Sequence, residues 1–205
     1  MKKAFSLALA VMAMLPLCAQ FKLLSRVNTP VAEKVNPAFS KSLESVLLDF
    51  PYGFRNISGD LLLAQGEVEQ YVSTISLPGA ESCIIGRYHS VRDTTLSWQA
   101  VMFRDEDFQT AAKEYKSLFK QLKGSAVKVV DGSLLYLEGN LTAPLEEEDF
   151  TVTTLRFGIS DPRYREFKVE LEMLYKMPEW VININMISRK NDADVRPDWM
   201  TSGGR

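Results

Sequence analysis

The sequence predicts an α+β domain: a broad antiparallel sheet with two helices packed on one face, built by internal duplication of a unit of one helix plus antiparallel strands. Three observations predict it. Residues 39–50 and 108–122 carry the helical period, nearly every other periodic stretch alternates as a strand does, and the order helix then strands occurs twice.

The chain of 205 residues opens "MKKAFSLALAVMAMLPLCAQ". Lys2 and Lys3 precede an apolar run from Ala4 to Leu17, which is the pattern of a secretory signal peptide over residues 1–20. The run is shorter than the ~20 residues a spanning helix needs, and Pro16 interrupts it, so no transmembrane span is expected. A lipid anchor at Cys18 is the minority alternative, because Pro16 and Leu17 stand where such signals carry small residues. The expected location is therefore the periplasm or the outside of the cell. Loss of Lys2 and Lys3 takes the formal net charge from −2 to −4 and leaves Cys83 as the sole cysteine, without a disulfide partner. A mildly acidic chain with no basic cluster is not expected to bind nucleic acid. A hydrophobic fraction of 46% is ample for a packed core.

Residues 21–37 hold Pro30 and Pro37 with no steady period and read as a leader. Residues 38–188 form the single predicted domain, with repeats at about 38–104 and 105–188. In "FSKSLESVLLDF" the apolar residues Phe39, Leu43, Val46, Leu47 and Phe50 fall on one helical stripe, which Pro51 and Gly53 end. Strands follow in "GDLLLAQGEVEQYVSTISL", "SCIIGRYHSV" and "TLSWQAVMF". In the second helix Phe108, Ala111, Ala112, Tyr115, Leu118, Phe119 and Leu122 line one face, Asp105 or Asp107 caps the start, and Gly124 is placed for a left-handed cap.

Asp131-Gly132 then predicts a hairpin within "VKVVDGSLLYLEGNL". Strands continue in "FTVTTLRFGIS", "REFKVELEMLYK" and "EWVININMIS". Phe167, Val169, Leu171, Met173 and Tyr175 alternate with charged residues, and Trp180, Ile182, Ile184 and Met186 alternate with Asn183 and Asn185, so both strands are expected to be half-buried. Residues 189–205 lose the period and read as a mobile tail.

The duplication rests on a near-constant offset. At 72 residues Leu43, Val46, Leu47 and Phe50 fall on Tyr115, Leu118, Phe119 and Leu122; at 73, "GDLLLAQG" falls on "GSLLYLEG", and Leu96, Trp98, Ala100 and Met102 fall on Val169, Leu171, Met173 and Tyr175. The expected architecture resembles duplicated folds such as the TATA-binding protein and the β-lactamase inhibitor protein. That resemblance implies a partner held on an open sheet face, and it is one of architecture, without shared motifs.

Little in the sequence points to chemistry. Cys83 and His89 are the only thiol–imidazole pair, and six extended residues hold them about 20 Å apart. One histidine and one thiol are too few for a zinc site, and the run Glu146-Glu147-Glu148-Asp149 lacks the spacing of a calcium loop, so it reads as a solvated connection; no metal and no cofactor is expected. The core is expected to take Trp98, Trp180, Phe103, Phe119, Phe157, Phe167 and Tyr175. Tyr52, Phe54, Tyr88, Tyr164 and Trp199 fall at turns and strand ends. The cluster singled out for binding is Arg87, Tyr88 and His89.

The function ranked first is a non-enzymatic binding or structural module of the periplasm or cell envelope, acting through an exposed sheet face or strand ends on another envelope or secreted protein. A carrier of a small apolar ligand or lipid ranks second and predicts a cavity between sheet and helices. An enzyme using dispersed acids such as Asp93, Glu106 or Asp161 ranks third.

Overall fold

The computed structural model of the chain describes residues 35–89, 94–129, 132–159 and 161–188. The signal peptide, Cys18, all but the end of the leader, Asp93, Asp131 and the tail with Trp199 lie outside the described residues.

The first helix, α1 (Pro37–Asp49), starts where Asn36 Oδ1 accepts from the Ala38 N–H at 2.9 Å, with Pro37 in the first turn, where its missing donor is not needed. It buries Phe39, Leu43, Val46 and Leu47. A 3-10 turn over Phe50–Tyr52 and Gly53 at φ +67° end it, as Pro51 and Gly53 predict. A meander follows: β1 (Ser58–Gln65), β2 (Val68–Ser73), β3 (Ser82–His89) and β4 (Thr94–Asp105). The second helix, α2 (Phe108–Gly124), precedes β5 (Ala126–Lys128), β6 (Leu134–Glu138), β7 (Phe150–Phe157), β8 (Phe167–Lys176) and β9 (Glu179–Ser188).

These strands make one broad antiparallel sheet in the order β1-β2-β3-β4-β9-β8-β7-β6-β5, with β4 joined to β9 between the two meanders. The expected pairing of β5 with β6 is present, and Gly132 at φ +86° donates its N–H to Val129 at 2.9 Å. Trp98, Ala100, Ile184, Met186, Val169 and Leu171 point into the same continuous core as the apolar stripes of both helices. There the Tyr115 hydroxyl lies 2.8 Å from Thr153 Oγ1 and 3.0 Å from the Leu171 carbonyl oxygen.

Asp107, rather than Asp105, caps α2, accepting from the Thr110 N–H at 2.7 Å. Gly124 is not a left-handed cap. The capping residue is Ser125, which is extended; a side chain at Gly124 would meet Val35 Cγ2 at 2.5 Å, so close approach explains the glycine. Nor is β9 half-buried: Asn183 and Asn185 are buried along with the apolar residues on its other face, because β9 lies at the middle of the sheet. Phe54 and Tyr164 are core residues, stacked around Phe50 and Phe167, while Tyr175 is partly exposed near the end of β8.

The offset that suggested a repeat survives only in part. The pairs α1/α2 and β1/β6 hold matching places in the order, each of those strands being fourth from the central joint. The third match sets β4 on β8, yet the counterpart of β4 across the joint is β9. The eleven residues from Gly139 to Asp149, which replace a two-residue turn between β1 and β2, account for the lost register. The helices also differ in placement. The backbone of α2 runs near β4, β6, β8 and β9, whereas that of α1 runs near β5 and α2.

Candidate functional site

A cleft of about 830 Å³ opens at the end of the sheet where β2, β3 and β4 meet the turn after α1. Strand alternation sends Glu69, Tyr71 and Arg87 to one face, where cross-strand pairing sets Glu69 opposite Arg87. Arg87 Nη2 donates to Ser58 Oγ at 2.8 Å, and the guanidinium carbon lies 4.7 Å from the centre of the Tyr71 ring. Glu69 accepts from the Tyr71 hydroxyl at 2.8 Å and faces His89 Nε2 at 3.5 Å. The hydrogen bond to Glu69, reinforced by burial, raises the Tyr71 phenol above its ordinary range.

The second wall comes from the turn. Gly53 and Phe54 both take positive φ, +67° and +54°, which a buried aromatic tolerates only when its surroundings hold it there. Phe54 is fixed in the core against Phe50, and the reversal leaves Tyr52 and Arg55 on the cleft wall. Asp49, itself buried, closes the base of this turn by accepting from the Asn56 backbone N–H at 3.1 Å and from Asn56 Nδ2 at 2.5 Å. Arg55 is exposed and makes no ion pair among the described residues.

Two guanidiniums and one imidazole thus line the cleft with a single carboxylate, with Pro51, Tyr52 and Leu96 as apolar wall. Arg87 is oriented by Ser58 and Tyr71, and a planar guanidinium held in place on a cleft wall suits a carboxylate or another planar anion.

No family model, curated protein or solved structure matches this chain. The reading therefore rests on the geometry alone.

Of the three residues singled out in the sequence, Arg87 and His89 share this cleft. Tyr88 does not line it: it alternates to the other side of β3 and pairs in register with Val68 and Thr95. Glu69, Tyr71, Ser58 and Arg55 escaped sequence reading. The alternation of Glu69 and Tyr71 along β2 was visible, but the link of residues 74–81 before β3 hides which residues face Arg87. Cys83 sits buried at the far end of β3, with Sγ 3.6 Å from Ser76 Oγ, and the strand runs unbroken through Gly86 to His89. Asp161 is engaged as the cap of the 3-10 turn Pro162–Tyr164 and in a pair with Arg163 at 2.7 Å; Glu106 is exposed between β4 and α2. No group of three His, Cys, Asp or Glu side chains among the described residues is placed to hold a metal ion. No described helix is long and apolar enough to cross a membrane.

Proposed function

We propose that this chain is an exported, non-enzymatic binding module of the periplasm or cell envelope that grips an acidic group of a partner protein in the Arg55–Arg87–His89 cleft. The observation that carries the reading is the oriented guanidinium of Arg87 beside the unpaired Arg55, in a chain whose overall charge is acidic. Tyr52, 66% exposed, supplies a flat apolar surface next to the cations, as a peptide side chain would use.

A binding module is favoured over a carrier by the interior, which is filled between sheet and helices by Trp98, Tyr115, Phe39, Phe167 and Leu43, each at most 2% exposed. Strand order supports the further inference that the two meanders descend from one helix-plus-strands unit, with the placement of α1 and the Gly139–Asp149 connection acquired later.

The test is a titration with short peptides carrying a glutamate beside an aromatic residue, followed by backbone and guanidinium NMR signals. Shifts should centre on Arg55, Arg87 and His89, and Arg55→Ala should weaken binding about tenfold, as expected for one charge-assisted contact worth about 1.4 kcal/mol. Equal shifts with the glutamine version of the peptide would refute the assignment.

A further inference from the structure

The face of the sheet turned away from the helices carries a second feature, independent of the cleft. On β9 that face presents Val181, Asn183, Asn185 and Ile187. Asn183 and Asn185 are only 4% and 8% exposed, although neither helix covers them. Their cross-strand neighbours are Glu172 and Glu170 on β8 and Val101 and Gln99 on β4.

Glu172 accepts hydrogen bonds from both asparagine side chains. Glu170 is engaged with Lys168 at 2.6 Å. The two amide N–H groups are therefore directed at one carboxylate, while Oδ1 of Asn183 and Oδ1 of Asn185 are buried with no hydrogen-bond partner. Leaving a buried acceptor unpaired costs about 1–3 kcal/mol each, so two on one strand, side by side on one face, call for an explanation.

Asn185 and Glu172 open onto a trough of about 340 Å³ that crosses five strands and is further lined by Gln70, Ile84, Gly86, Ser97 and Gln99. Gly86 keeps its floor clear: a Cβ there would lie 2.7 Å from Ser97 Oγ. The lining offers carboxamide and hydroxyl oxygens and one carboxylate, with no cation. On β8 beside it, Lys168 is paired with Glu170, and Lys176 at the strand end is the ammonium whose charge reaches Glu172.

We propose that this trough binds an organic ammonium group, whose N–H donors are taken by Asn185 Oδ1 and the Glu172 carboxylate, with Gln70 and Gln99 at the rim. Rotation about the soft terminal torsion of Asn185 turns its oxygen into the trough as the ammonium takes over the contact with Glu172. Burial, the largest influence on Glu172, lifts its proton affinity, and an adjacent fixed cation would reverse that. A divalent metal fits less well, because it wants several hard anionic oxygens and the Glu172 oxygens already face amide N–H groups. A free amine and a lysine side chain both carry such an ammonium, and the experiment separates the two.

The full chain is titrated, with β8 and β9 amide signals followed, against spermidine, against an unstructured peptide with one central lysine, and against tetramethylammonium, which has the charge but no N–H. Saturable shifts around Asn183, Asn185 and Glu172 with spermidine alone assign a free amine, and with the peptide as well a lysine side chain. Asn185→Leu, which removes the unpaired acceptor together with one of the two donors to Glu172, is expected to weaken that binding at least tenfold while the amide signals away from β8 and β9 keep their dispersion. Equal shifts with tetramethylammonium, saturation by calcium alone, no saturable response, or unaltered binding in Asn185→Leu would each overturn the proposal.

Discussion

Buried polar side chains carry much of this fold's specificity. Trp98 donates its indole N–H to Ser73 Oγ at 2.8 Å, and Ser73 in turn donates to the Ile75 carbonyl at 2.7 Å, so the largest core side chain is tied to the loop after β2. Tyr115 plays the same part between α2 and the sheet, and burial pushes its phenol up to about 12. An acid whose folded pKa is raised keeps its proton while the unfolded chain loses it, so this contribution is intact below pH 10 and fades as pH rises from about 10 to 12. Tyr115→Phe should therefore cost about 1–3 kcal/mol at pH 7 by leaving Thr153 and the Leu171 carbonyl short of a partner. The gap between variant and parent should then narrow above pH 10. Urea midpoints at pH 7, 10 and 11 measure it, and a gap that stays constant would mean that Tyr115 titrates normally. None of these partnerships was legible in the sequence, because each joins residues at least 25 positions apart except the short Ser73–Ile75 link. Asn183 and Asn185 were visible only as polar residues in alternation, a pattern that gives the face and not its burial.

At the scale of elements the sequence was far more informative. Both helices stand where the apolar period places them, since 3.6-residue spacing is a local property of the chain. The start of α1 was missed although its signal was present: Asn36-Pro37 is a cap followed by a first-turn proline, in a stretch that composition assigned to the leader. Asn36→Ala is expected to cost about 1 kcal/mol, and Asn36→Asp to keep most of the stability. Equal urea midpoints for the alanine variant and the parent would show that the contact of the Asn36 N–H with Gln121 Oε1 at 3.2 Å, which either variant retains, holds the helix end by itself. Gly124 shows the opposite error. A glycine at a helix end suggested a left-handed cap, while its actual reason, the approach of Val35, comes from tertiary contact.

The whole molecule is joined in two places, and they differ in kind. The β4–β9 ladder links the meanders at the centre of the sheet, from Ser97 opposite Ile187 to Asp105 opposite Trp180. In addition, α1 reaches across to the second half: Ser40 Oγ lies 2.8 Å from Ser125 Oγ, Glu44 accepts from the Lys128 backbone N–H at 2.6 Å, and Phe50 packs on Phe167 at 4.4 Å between ring centres. A repeat read from the sequence suggests two similar halves able to stand alone or to pair with copies of themselves. Placement of α1 argues otherwise. Cut after β4, the first half keeps its strands but loses the surfaces that bury Phe39, Leu43 and Leu47, and it exposes the edge of β4 that carries Trp98. Residues 35–104 alone should therefore give the narrow NMR spectrum of an unfolded chain, and mixing with residues 105–188 should restore dispersion through docking of α1 and closure of the β4–β9 ladder. A dispersed spectrum from the first fragment alone would show that the half is a self-sufficient unit, with a second β4 standing in for β9 across a two-fold axis.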